Sequence, residues 1–120
     1  MRKEEYVIKI PVNTNNGSYL VEKVNIEGTM LNIRLLWNWR DGFWYGDFET
    51  VNGKRCGIRL VPNSRLLRSH NNVLENGELA IFKREKTCAE PLNHDNLGKA
   101  YILHYLTKDD VNVFIEAGML

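Results

Sequence analysis

Cysteine is scarce in this 120-residue chain: Cys56 and Cys88 lie far apart and form neither a paired metal spacing nor a redox motif. Free thiols in a reducing cytosol are expected, and no disulfide framework. An excess of either charge is missing too, since 16 Lys+Arg against 15 Asp+Glu leave a formal charge of +1. With no global field to hold a polyanion, strong nonspecific nucleic-acid binding is disfavoured, although a local basic stripe remains open. No apolar run approaches the roughly eighteen residues of a membrane span, and none is expected. The opening Met1-Arg2-Lys3-Glu4-Glu5-Tyr6 lacks the apolar core of a signal peptide. The expectation is a protein made and kept in the cytoplasm, unless it leaves inside a larger particle.

Reactive constellations are also thin. His70, His94 and His104 have no i,i+4 partner, no His-Glu-x-x-His pattern and no cysteine at a ligand spacing, so no metal is expected. The glycines stand singly and form no phosphate cradle, and no Gly-x-Ser-x-Gly elbow occurs. His104, beside Ile102 and Leu106 on an apolar strand face, reads as a core or interface histidine satisfied by a hydrogen bond. His94-Asp95 reads as a turn, not a dyad. The expectation is a protein with no catalytic residue and no cofactor.

What is there is the material of a folded interior: 43% hydrophobic and 26% charged residues in 14.0 kDa. A chain of this length buries about two-thirds of its unfolded surface, which suits one domain over 1–120. Asn-Gly, Glu-Gly and Asp-Gly pairs at 16–17, 27–28, 41–42, 52–53 and 76–77 punctuate alternating stretches, the rhythm of an antiparallel β-domain. Strands are expected near 5–12, 19–27, 29–40, 43–51, 54–61, 78–85 and 99–107, then a short helix near 108–117.

Because side chains alternate faces along a strand, a pairing can be tested by whether apolar residues stay together. A two-residue turn at Glu27-Gly28 sets Ile26 against Thr29, Val24 against Leu31 and Leu20 against Leu35, with Glu22 opposite Ile33 as an exception suggesting a bulge. A two-residue turn at Asp41-Gly42 sets Trp39 against Trp44, Trp37 against Gly46, Leu35 against Phe48 and Arg34 against Glu49. The next hairpin needs an odd residue. A three-residue loop Val51-Asn52-Gly53, with Gly53 left-handed, sets Phe48 against Cys56, Gly46 against Ile58, Trp44 against Leu60 and Glu49 against Arg55.

The resulting meander puts Trp37, Trp39, Trp44 and Phe48 on one apolar face, so the sheet must curl or receive a second layer. The fold class is therefore all-β, a small antiparallel barrel or sandwich with a short C-terminal helix. Strand 99–107 is apolar on both faces, which calls for cover by the terminal helix or a partner. That helix has Thr107 as cap, Asp109 and Asp110 in its first turn, Val111, Phe114 and Ile115 at helical spacing and Gly118 as a stop.

Two long connections, Pro62 to Gly77 and Lys86 to Gly98, are natural places for binding contacts, the first with a single helical turn near 64–67. The run Gly42-Phe43-Trp44-Tyr45-Gly46-Asp47-Phe48 has the aromatic density of a base-stacking strand. It lacks that motif's leading base, and Trp44 and Phe48 face inward. Phe43 and Tyr45 face outward beside Asn38 and Arg40, and Arg65, Arg68 and His70 form a small basic cluster. Arg40, Phe43, Tyr45, Arg65 and Arg68 are the candidate interface residues. Aromatics beside arginine suit a protein contact or a single nucleic-acid strand, so an oligonucleotide-binding barrel is the alternative function.

The stretches Ile33-Arg34-Leu35-Leu36-Trp37-Asn38, Phe43-Trp44-Tyr45-Gly46-Asp47 and Gly57-Ile58-Arg59-Leu60-Val61-Pro62 are followed by Leu66-Leu67 and by Leu97-Gly98 with Tyr101 and Tyr105. In this order and spacing they resemble the baseplate plug family of tailed phages. The resemblance implies a β-rich structural protein of the virion, placed in the hub region of the tail baseplate beside tube or spike and assembled in the bacterial host cytoplasm. It implies hub, tube or spike proteins as partners, several copies, no catalytic role, no membrane and no specific nucleic acid. The family brings no catalytic residues to carry over. Asn63-Ser64-Arg65 departs from a more Gly-rich pattern in relatives and bears on the fit to a particular neighbour. Contact in such a protein is expected through shape, buried anchors and edge strands able to pair with a neighbour's sheet.

Overall fold

The computed structural model describes residues 8–14, 17–68, 72–75 and 77–120. His70, the first residues of the opening strand at 5–7, and one residue each of the 16–17 and 76–77 pairs lie outside them. Two antiparallel sheets form a sandwich-like fold, and neither closes into a barrel. One sheet has the order β1-β7-β6, with β1 (Ile8–Ile10), β6 (Glu78–Lys83) and β7 (Tyr101–Leu106). The other is a meander, β2-β3-β4-β5, with β2 (Tyr19–Ile26), β3 (Thr29–Asn38), β4 (Phe43–Thr50) and β5 (Gly53–Arg59).

The inward faces of both sheets meet in one core, with Leu31, Ile33, Leu35, Trp37, Trp44 and Phe48 on the meander side and Leu79, Ile81, Leu103 and Tyr105 on the other. The outer face of the three-stranded sheet is covered by α1 (Lys108–Glu116), where Ala80, Phe82 and Leu106 pack against Val111 and Phe114. Phe82 and Phe114 stack at 4.9 Å, and burying one such ring contributes about 2–3 kcal/mol. The doubly apolar β7 is thereby satisfied by the helix. Thr107 and Asp110 close a capping box, and Met119 N donates to Phe114 O at 2.9 Å just past Gly118. Ile115, on the helix's far side, is exposed.

The first hairpin has the expected register from Ile26↔Thr29 to Leu20↔Leu35. Glu22↔Ile33 is a regular pair within it, not a bulge, and Glu22 points toward the interior from an edge strand. The second hairpin is slipped by two residues: Trp37 faces Trp44, Leu35 faces Gly46, Ile33 faces Phe48 and Arg34 faces Asp47. Turn chemistry explains the slip. Asn38 Oδ1 accepts from Arg40 N, Asp41 Oδ1 accepts from Phe43 N, and Gly42 N donates to Asn38 O, which closes a four-residue loop over 39–42. A slip of two preserves the faces but ejects Trp39, which is 71% exposed. Gly46 leaves its space to the Phe48 ring, since a Cβ there would stand 2.7 Å from it; it does not accommodate Trp37.

The third hairpin contains the required odd residue, but inside β5. Thr50↔Gly53, Glu49↔Lys54 and Phe48↔Arg55 form a two-residue turn, and the register then shifts before Gly46↔Ile58. Gly57, not Gly53, is the left-handed residue, at φ 68°, and its N–H donates to Asp47 Oδ1 at 2.8 Å. Leu60 N donates to Trp44 O, so the expected Trp44–Leu60 alignment holds.

The described residues of both long connections are held by specific bonds. In the first, no helical turn forms at 64–67; the chain runs beside β6, with Asn63 N donating to Ile81 O and Leu66 N to Leu79 O. Leu66, Leu67, Val73 and Leu74 enter the core. In the second, Asn93 Oδ1 accepts from Asp95 N and Asn96 N, while Asn96 bonds Asn93 N and Pro91 O. Gly98 closes this segment at φ 87°, where a Cβ would fall 2.0 Å from Val12 O, so no other residue fits.

Candidate functional site

Arg40, Phe43 and Tyr45 come together on the β3–β4 hairpin. Phe43 and Tyr45 lie two apart on β4 and share the outer face of the meander with Tyr19, Val21 and Leu36, all three exposed. One ladder row reads Tyr19, Leu36, Tyr45, Arg59. The Arg59 Cζ lies 4.2 Å over the Phe43 ring, a cation–π contact. The Tyr45 hydroxyl donates to Asp41 Oδ2, and this bond holds the phenol above its ordinary range. Arg40 is exposed within the four-residue loop.

Arg65 is drawn elsewhere. Its Nε lies 3.5 Å from Oε2 of Glu78, a carboxylate with no exposed surface whose Oε1 accepts from Leu67 N at 2.6 Å and Leu79 N at 2.9 Å. Burial raises the Glu78 carboxyl, and the two N–H donors and Arg65 act against that rise. Arg65 therefore holds its own connection onto β6. Arg68, exposed and left-handed at φ 62°, belongs to the same connection.

Beside the hairpin the sandwich opens into a cleft of about 210 Å³, lined by Trp37, Phe43 and Trp44 and by Pro62, Pro91 and Leu92 from the two connections. The cleft is bounded by a cluster absent from the sequence reading. His94 stacks with Trp39 at 4.9 Å and with Trp44 at 5.7 Å, and meets Trp37 edge-on at 5.5 Å. Its Nε2 meets Ser18 Oγ at 3.1 Å and its Nδ1 meets Asp95 Oδ1 at 2.9 Å, while Trp39 Nε1 donates to Ser18 Oγ.

The order serine, imidazole, carboxylate is that of an activated nucleophile, and the same bonds make the cluster a clamp. Two indoles, those of Trp39 and Trp44, stack on the imidazole, the hydroxyl already accepts from Trp39, and Asp95 is 88% exposed at its side chain. The cluster fastens the second connection to β3 and β4, and Trp44 Nε1 adds a bond to Asn93 O. His104 is buried on the helix-facing side of β7, where burial lowers its pKa and a hydrogen bond with the Ile102 backbone acts against that fall, while Nδ1 has no partner. Cys56 and Cys88 are free, and among the described residues no group of three or more His, Cys, Asp or Glu side chains could hold a metal ion.

The Arg59 contact had a signal in the sequence, because pairing Gly46 with Ile58 already sets Tyr45 against Arg59. The His94 cluster had none, since it joins residues 18, 37, 39, 44 and 94 from four parts of the chain.

No curated protein matches the chain. A family model does, over residues 7–108, a span that takes in both sheets, the cleft and the His94 clamp. Its description is cyanophage baseplate Pam3 plug gp18, and the chain belongs to that family of phage baseplate plug proteins.

Proposed function

We propose that this protein is a structural piece of the phage tail baseplate that fills or braces the hub and joins hub, tube or spike proteins by protein contact, several copies per particle, without a catalytic step. The family match over residues 7–108 carries this reading. The outer face of the meander supports it: Tyr19, Val21, Leu36, Phe43 and Tyr45 are unroofed by any element described, with Arg40 and Arg59 beside them. Aromatics and arginine at the centre of a patch are the composition of protein interfaces. Arg40, Phe43 and Tyr45 act in that interface, Arg68 extends it along the first connection, and Arg65 contributes by fixing that connection's shape. Assembly takes place in the host cytoplasm, where two free thiols persist.

Mass spectrometry of purified, nuclease-treated virions tests the reading. The chain is expected in tail fractions in a fixed ratio to the other baseplate proteins. Its absence from tails would overturn the assignment.

A further inference from the structure

We infer that the cleft between the β3–β4 hairpin and the two long connections receives one apolar side chain of a partner protein, with a carboxylate next to it on the partner meeting Arg59. This rests on the plug reading and names the chemistry of what is gripped.

Size comes first. Small-molecule sites run about 300–1,000 Å³. A cleft of about 210 Å³ walled by indole, phenyl and proline rings suits a single leucine- or phenylalanine-sized anchor. Phe43 and Val61, 40% and 44% exposed, make the cleft reachable from outside.

Charge then selects the neighbour. Arg59 lies over Phe43 and has no carboxylate partner among the described residues. The acids nearest in the ladder are engaged: Asp41 accepts from Phe43 N and the Tyr45 hydroxyl, and Asp47 accepts from Gly57 N and lies 3.7 Å from Arg34. The face therefore offers a cation without a carboxylate beside an apolar hollow, and its complement is an apolar anchor flanked by acid. A nucleobase fits less well, because the guanidinium already covers one face of Phe43.

The test is an NMR titration of the full chain with the capped tripeptides Asp-Leu-Asp, Lys-Leu-Lys and Asp-Gly-Asp and with a short oligothymidylate, following the Trp37 and Trp44 indole signals. Asp-Leu-Asp is expected to shift both saturably and to bind about fivefold tighter than Lys-Leu-Lys. Arg59→Gln should abolish that preference. Val61→Trp, at a surface position, should block the shifts while leaving the amide spectrum dispersed. Equal responses to Lys-Leu-Lys or to Asp-Gly-Asp would overturn the inference, as would an oligothymidylate that moves the indoles where the peptides do not. A chain present in tails whose indoles ignore Asp-Leu-Asp would sink the cleft alone; a chain missing from tails would sink the plug reading whatever the peptides do.

Discussion

Glu78 shows how a single side chain fixes a long connection. Two backbone N–H groups and Arg65 compensate a carboxylate taken wholly out of water, and burial still dominates. The sign of its pH dependence follows. The folded-state pKa stands above the unfolded value of 4.5, so its contribution is fully present below pH 4.5 and is lost as pH rises through the folded pKa. Glu78→Gln keeps an acceptor for Leu67 N and Leu79 N but cannot ionise. Urea unfolding of both proteins between pH 4 and pH 7 should show the variant losing less stability on the alkaline side, and parallel profiles would contradict the assignment. The composition around residue 78 gives no hint of this burial, because two of its three partners, Arg65 and Leu67 N, come from a connection whose sequence suggests a helical turn and binding contacts. Trp39 was misread for a related reason: alternation continues through it, and only the side-chain bonds of Asn38 and Asp41 end the strand before it.

The elements were the most legible level. All seven strands, the helix and its caps follow from alternation, turn pairs and helical spacing, and the first hairpin's register follows residue by residue. The bulge was legible as a requirement, since one extra residue had to be lodged between Phe48 and Ile58. Its position was not, because a left-handed glycine is equally available at 53 and 57. Three of the sheet edges carry features that bear on pairing with a neighbour's strand. β6 is bordered by the 63–66 segment, β5 carries the bulge with Lys54 and Arg55 beside it, and β2 turns Glu22 inward. Each is a known guard against strand addition. Glu22→Val should therefore raise stability by about 1 kcal/mol, because burial already pushes this carboxyl up, and should also promote self-association. Sedimentation velocity across a concentration series reads the second effect, and an unchanged profile would remove Glu22 from the list of guards.

At the scale of the whole molecule, three layers, helix, sheet and sheet, fill a body of 36 × 35 × 21 Å, with the His94 clamp joining one connection to the meander. The layers were readable from one-sided and two-sided apolar strands; the clamp, made only by the finished fold, was not. Trp39 has a large exposed surface yet stacks on the imidazole, so Trp39→Ala should cost about 1 kcal/mol and speed amide exchange over 91–97. Hydrogen exchange checks this, and protection equal to the parent chain would mean that the other rings suffice.

The roofing of only one sheet by α1 also gives the body a front and a back. One side meets its surroundings through a helix and the other through bare strands, so whatever touches the two sides meets different chemistry.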